Sequence, residues 1–200
     1  MREEPTVFLV DDDPAMLRSL VSLVKAAFHR VEAYSSAAEF LEAYEPGRPG
    51  CLVLDVAMPE MNGLELQRKL VEEKTDLPVV FITGHANVQM AVGAMQAGAV
   101  NFLEKPFHEQ ELWDSIRKAL DTNQQSRRRQ ARCCQAKDRL SRLTRGEREV
   151  LDLILDGRFN KEIASKLDLS IRTVEDRRAK LMKKMDARSV AELVQLAVVQ

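Results

Sequence analysis

CLVLDVAMPEMNG, residues 51–63, sets four apolar residues, Cys51–Leu54, directly against a carboxylate, Asp55. Four apolar residues without alternation suit a strand buried on both faces. A helix-like pattern, Gly63–Glu73, follows. The same grammar recurs on either side. Thr6–Val10 runs into Asp11-Asp12-Asp13, Pro78–Ile82 into Thr83, and Ala99–Leu103 into Glu104-Lys105-Pro106. Helix-like segments lie at Ala15–Ala27, Asn87–Ala97 and His108–Leu120, and a shorter pair at Arg30–Tyr34 and Ser36–Tyr44. Strands alternating with helices at this spacing predict a parallel sheet covered on both faces. Five βα units in about 120 residues fit a flavodoxin-like doubly wound fold, in which ligands sit at the carboxyl ends of the strands.

Composition divides the chain. Residues 1–121 hold 11 basic and 20 acidic side chains, a net of −9, and the remainder holds 19 and 11, a net of +8. The basic part is the candidate for a polyanionic partner. No apolar run reaches the roughly 18 residues of a membrane span, and the first residues do not read as a signal peptide. Three cysteines do not make a disulfide framework, so reduced thiols and a cytoplasmic location are expected. Cys133-Cys134 reads as two incidental thiols or as a redox pair.

The strand ends carry the chemistry. Asp11, Asp12 and Asp55 crowded at one sheet edge repel one another. Mg²⁺, which takes a few carboxylates plus waters and phosphate oxygens, relieves that repulsion. A carboxylate can then act as nucleophile and form an aspartyl phosphate. Lys105 can pair with the phosphoryl oxygens and Thr83 can donate to them. Asp13 suits a cap for the helix starting near Pro14. His85 and His108 have no partnering His or Cys cluster. No strong general base and no deep substrate pocket are in view. The site suits receiving and holding a phosphoryl group.

VDDD, LDVAMPEMNG and ITGHANVQMAVGAMQAGAVNFLEKPF resemble the text of response-regulator receiver domains from residue 5 to about 120. The resemblance implies that Asp11 and Asp12 are an acidic metal-binding pair, and that Asp55 is the phosphoacceptor. It makes Thr83 the switch hydroxyl, Lys105 the motif's lysine and Phe102 the switch aromatic. A cis bond is implied at Lys105-Pro106, and Ala57 would give its backbone carbonyl to Mg²⁺. Ala57 is smaller than the polar residue common there, which bears on phosphoryl lifetime.

Residues 122–141 are polar, basic and free of Gly and Pro, and read as a linker that continues the preceding helix for some turns. Helices alone follow in 142–200. Thr144 with Glu147 makes a capping box. Gly157 ends that helix. Asn160–Leu167, a break at Asp168-Leu169, and Ile171–Met185 capped by Ser170 make a helix-turn-helix pattern. Val174, Leu181 and Met185 should face a core. A last helix spans Arg188–Val199.

Residues 143–197 resemble the LuxR/FixJ/NarL-type helix-turn-helix through LT..ERE, NKEIA, S..TVE and RS.AELV. The resemblance makes Arg172–Lys184 the recognition helix, with Thr173, Glu175, Asp176, Arg177 and Ala179 on or near its groove-facing side. Arg177, Arg178 and Lys184 are expected on phosphates, and Lys161 on a phosphate near the preceding helix. Gly146 departs from the more usual arginine. Glu175 and Asp176 cannot hold phosphate but can accept from cytosine N4.

Together these resemblances imply an α/β acceptor domain, 1–121, joined to an all-α four-helix domain, and a FixJ-type transcriptional regulator rather than an enzyme. Slow self-dephosphorylation is the one turnover implied. The implied partners are a sensor histidine kinase, promoter DNA and RNA polymerase. Phosphorylation would remodel the face formed by Ala86–Ala97 and Ala99–Leu103. That change would pair two acceptor domains or stop masking the DNA-binding helix. A phosphatase using Asp55 on free phosphoesters, and a phosphorylation-independent DNA binder, stay as alternatives.

Overall fold

The computed structural model describes residues 4–84 and 88–198. His85, Ala86, Asn87 and Val199, which entered the expectations above, lie outside them. The chain divides into two compact units, Met1–Arg127 and Arg128–Gln200.

In the first unit the strands are β1 (Thr6–Val10), β2 (Val31–Tyr34), β3 (Gly50–Asp55), β4 (Val79–Thr83) and β5 (Asn101–Glu104). They form one sheet in the order β2-β1-β3-β4-β5, and every pairing is parallel. The predicted doubly wound fold is the one observed. β1, β3 and β4 are buried throughout, which explains why their sequences run apolar instead of alternating.

Side chains leave each strand on alternate faces, so each buried strand feeds two cores. Phe8, Val10, Leu52, Leu54 and Phe81 meet α2 (Ala37–Ala43), α3 (Gly63–Glu72) and α4 (Val88–Gln96) through Phe40, Leu66, Leu70 and Ala94. Val7, Leu9, Cys51, Val53, Val80 and Ile82 meet α1 (Pro14–Lys25) and α5 (Glu109–Ser141) through Leu20, Val24, Leu112, Ile116 and Ala119. Each large side chain so buried contributes about 1.5–3 kcal/mol. Asn123 of α5 is buried at the base of the sheet. It accepts from the Gly50 N–H at 3.1 Å and donates to the Asp76 carbonyl at 2.6 Å.

α5 is the longest element, at 33 residues. Neither Gly nor Pro interrupts it. Beyond Ser141 the second unit holds α6 (Arg145–Leu155), α7 (Asn160–Leu167), α8 (Ile171–Met185) and α9 (Val190–Val198) around one apolar core. The Thr144–Glu147 capping box forms. Asp168 takes the left-handed conformation that ends α7, and Ser170 caps α8. Val174, Leu181 and Met185 are buried, as their spacing predicts. α9 begins two residues later than expected, because Ser189 accepts from the Glu192 N–H and so sits at its cap. Among the described residues no helix is long and apolar enough to cross a membrane.

Candidate functional site

Asp11 directly follows β1 and Asp55 ends β3, the strand beside it. Both are almost fully buried, at 1% and 5% exposure. Each carboxylate is oriented by a backbone N–H two residues on: Asp13 donates to Asp11 at 2.9 Å and Ala57 to Asp55 at 2.7 Å. Lys105, just past β5, reaches across to both. Its Nζ stands 2.8 Å from Asp11 Oδ2 and 2.6 Å from Asp55 Oδ1. Burial pulls the Lys105 ammonium toward deprotonation, but its hydrogen bonds to Asp11 and Asp55 outweigh that and hold its pKa above the usual lysine value.

Thr83, at the end of β4, is buried, and its carbonyl accepts the Lys105 N–H at 2.7 Å. The Lys105-Pro106 bond is cis. Phe102 is half-buried on β5, its ring 5.9 Å from that of Phe81. Asp12 and Ala57 are exposed at the same edge. Asp13 caps α1 by accepting from Ala15 and Met16.

Two buried carboxylates share one ammonium, so the cluster carries net negative charge before Asp12 is counted. Its donors are all oxygens. Among the described residues no three Asp, Glu, His or Cys side chains are gathered closely enough to hold a metal by themselves. The donor set therefore fits an ion that keeps most of its water and takes one or two carboxylates, which is the habit of Mg²⁺.

Gly63 is a contributor the sequence signalled only through its place after Asn62. Its N–H donates to the Val56 carbonyl at 3.0 Å, and a Cβ there would stand 2.3 Å from the Asp55 carbonyl oxygen. Only glycine lets the loop after β3 close this tightly beneath Asp55.

In the second unit α8 divides its charges. Arg172, Glu175, Asp176, Ala179, Lys180 and Lys183 are exposed at spacings of three and four, which makes one stripe. Lys180 and Lys183 join it although the sequence reading gave them no contact. Arg177 and Arg178 are half-buried at its flanks, and Lys161 is exposed near the start of α7. Arg178 donates to Asn160 Oδ1 at 2.6 Å, and the Thr173 hydroxyl lies 2.8 Å from that of Ser170. Lys184, expected on a phosphate, is already engaged. Its ammonium lies 2.6 Å from Glu147 Oε2 and donates to the Arg142 carbonyl at 3.2 Å. The Lys184 hydrogen bond holds the Glu147 carboxyl below its ordinary pKa, against the opposing effect of burial. This pair fastens α8 to α6.

Cys51 is buried, which pushes its thiol pKa up, and Cys51, Cys133 and Cys134 form no disulfide with one another.

Residues 7–117 match the family described as "Response regulator receiver domain", and residues 141–197 match "Bacterial regulatory proteins, luxR family". The chain is 43% identical over 190 residues to the response regulator protein TodT of Pseudomonas putida, covering 95% of this chain and 84% of TodT. It is 40% identical over 193 residues to the transcriptional regulatory protein FixJ of Rhizobium meliloti, covering 96% and 95%. Among solved structures it is similar to the response regulator StyR, with 43% identity, a TM-score of 0.86, and 96% and 98% of the two chains covered. It is also similar to full-length FixJ from B. japonicum, with 36% identity, a TM-score of 0.59, and 99% and 98% covered.

Proposed function

Because the chain belongs to the response regulators, carrying a receiver domain and a LuxR-type DNA-binding domain, we propose that phosphorylation of Asp55 is the event that governs its DNA binding. It is a FixJ-like transcriptional regulator and not an enzyme, and its class takes its phosphoryl group from a sensor kinase. The observation that carries the assignment to Asp55 is Lys105, whose ammonium joins Asp55 to Asp11 in a buried cluster at the carboxyl edge of the sheet.

An Asp55 oxygen attacks phosphorus on the donor's phosphohistidine. The P–N bond breaks, and the departing imidazole takes up a proton. Mg²⁺, held by Asp11, Asp12, Asp55 and the Ala57 carbonyl, would supply charge neutralisation at the phosphoryl oxygens. Lys105 exchanges its Asp55 oxygen for a phosphoryl oxygen. Thr83 donates its hydroxyl to the phosphoryl group and moves inward. Phe102, at the surface of β5, turns in behind it. Slow hydrolysis of the acyl phosphate resets the site, and the small Ala57 leaves water close to it.

The remodelled α4–β5 face then pairs two receivers or releases the DNA-binding helix. Val88, Val92 and Met95 support pairing, because they present an exposed apolar row along α4, with Val88 80% exposed. The expected boundaries are 1–121, 122–141 and 142–200; because Asn123 is tied to the sheet, we take the receiver on to Arg127, the rest of α5 as the linker and 142–200 as the DNA-binding domain. The cytoplasm is the compartment, and RNA polymerase is a further partner at the promoter. On DNA, the α8 stripe enters the major groove, with Glu175 and Asp176 toward base edges. Arg172, Arg177, Arg178 and Lys161 take phosphates. Lys184 acts through Glu147, by fixing α8.

Mass spectrometry after incubation with acetyl phosphate and Mg²⁺ tests the acceptor. One phosphoryl group on Asp55, absent from Asp55→Asn, is expected. An unmodified chain, or a phosphoryl group that persists in Asp55→Asn, would overturn the assignment.

A further inference from the structure

Gly146 stands in the first turn of α6, and glycine is a poorer helix former than alanine. A residue that breaks a local preference calls for a compensating contact. That contact is Arg177. A Cβ on Gly146 would lie 2.7 Å from Arg177 Nη1 and 2.8 Å from its Cζ. The guanidinium of α8 therefore rests on the bare backbone of α6, in space that any side chain at 146 would fill.

The seat holds the group by shape and leaves its charge unspent. Among the described residues, the Arg177 guanidinium makes no hydrogen bond and no ion pair. On α6, the two carboxylates nearest Gly146 in sequence are already committed. Glu147 binds Lys184 and the Thr144 N–H, and Glu149 binds Arg145. Arg177 flanks the exposed stripe of α8 and is half-buried, so its long side chain has lost much of its rotamer freedom before any ligand arrives. A guanidinium that is pre-placed and unpaired is suited to a bidentate contact with phosphate.

We propose that Gly146 is a positioning residue for DNA binding: its missing side chain seats the Arg177 guanidinium, without an internal partner, for a phosphate of the DNA backbone. The proposal rests on the DNA-binding role given to Arg177 above, and the two can fail separately.

The test measures affinity of the full-length chain by fluorescence anisotropy. The probe is a labelled duplex recovered from random DNA by selection with the wild-type chain. Gly146→Ala, Arg177→Ala and the double variant are titrated between about 50 and 200 mM KCl. The added methyl meets the far end of a flexible side chain, so Gly146→Ala displaces Arg177 and leaves the fold intact, with Tm unchanged or raised. Gly146→Ala weakens binding on the order of 2- to 10-fold, the penalty for ordering one long side chain anew. Arg177→Ala flattens the dependence of log affinity on log salt by about one unit. The double variant binds no more weakly than Arg177→Ala alone. Wild-type affinity in Gly146→Ala beside a weakened Arg177→Ala overturns the seat, as does a Gly146→Ala loss that persists undiminished without Arg177. Wild-type affinity and salt slope in Arg177→Ala overturn the phosphate role beneath it.

Discussion

Replacing Lys105 by methionine removes the cation that the two buried carboxylates share and keeps its apolar stem. Removing one partner of a buried ion pair costs about 3–5 kcal/mol. Two features reduce that here. The Lys105 side chain is 17% exposed, so water reaches the pair. The Asp13 and Ala57 N–H groups also stay in place on the carboxylates. A loss of about 2–4 kcal/mol remains for the receiver. For a unit of this size, that lowers Tm by roughly 6–15 °C. The single tryptophan, Trp113, donates to the Leu23 carbonyl within the receiver, so its fluorescence follows that unit alone. The assay is a thermal melt at pH 7 with divalent cations chelated. Lys105→Met should recover in part on adding Mg²⁺, and in part when Asp11→Asn removes one of the two charges. The pH dependence has a definite sign. The Lys105 pKa is raised in the folded chain, so its contribution is complete below the unfolded lysine value of about 10.4 and fades only as pH climbs through the folded value. A Lys105→Met melt within about 2 °C of wild type at pH 7 would refute the claim that this ammonium balances Asp11 and Asp55.

Lys184→Met should lower the stability of the second unit by about 1–2 kcal/mol at pH 7. The half-exposed ammonium discounts the usual value for a broken pair. Glu147 has a depressed pKa, so the contribution is present above the unfolded value of about 4.3 and is lost as pH falls through the folded one. The gap to wild type, followed by circular dichroism, should therefore narrow in acid, and a gap that widens there would exclude the pair as its source. Gly63→Ala should cost the receiver about 1–3 kcal/mol, because backbone and not a flexible side chain stands 2.3 Å from the new methyl. Slower acetyl-phosphate labelling of Asp55 should accompany it, and unchanged melting and labelling would show that the loop has room. Asn123→Ala should cost about 1–3 kcal/mol for each of the two backbone groups it deserts at Gly50 and Asp76, read in the Trp113 melt.

The sheet and the acidic cluster were legible because their signals are local. Four apolar runs ended in Asp11, Asp55, Thr83 and Lys105, and parallel strand order alone brings those ends to one edge. Caps were legible for the same reason: Asp13, Thr144 with Glu147, and Ser170 each bind N–H groups within three residues. What escaped was long-range. Glu147 read as half of a capping box, and nothing in its neighbourhood announced that Lys184, 37 residues on, would take its other valences. Lys184 consequently read as one more basic residue on a recognition helix. Gly146 read as a minor departure, because its purpose lies in a guanidinium 31 positions away. Asn123, within a stretch read as linker, turned out to tie α5 to the start of β3. Polar contacts between distant elements leave no periodicity for a sequence to display.

The coupling between Asp55 and α8 is tested most directly by one affinity measurement on the full-length chain. The same selected duplex is titrated before and after acetyl phosphate with Mg²⁺, with Asp55→Asn carried through both arms. Tighter binding after phosphorylation of the wild-type chain, and no change in Asp55→Asn, is the predicted result. Equal affinity in both arms of a chain shown by mass to carry the phosphoryl group on Asp55 would contradict it.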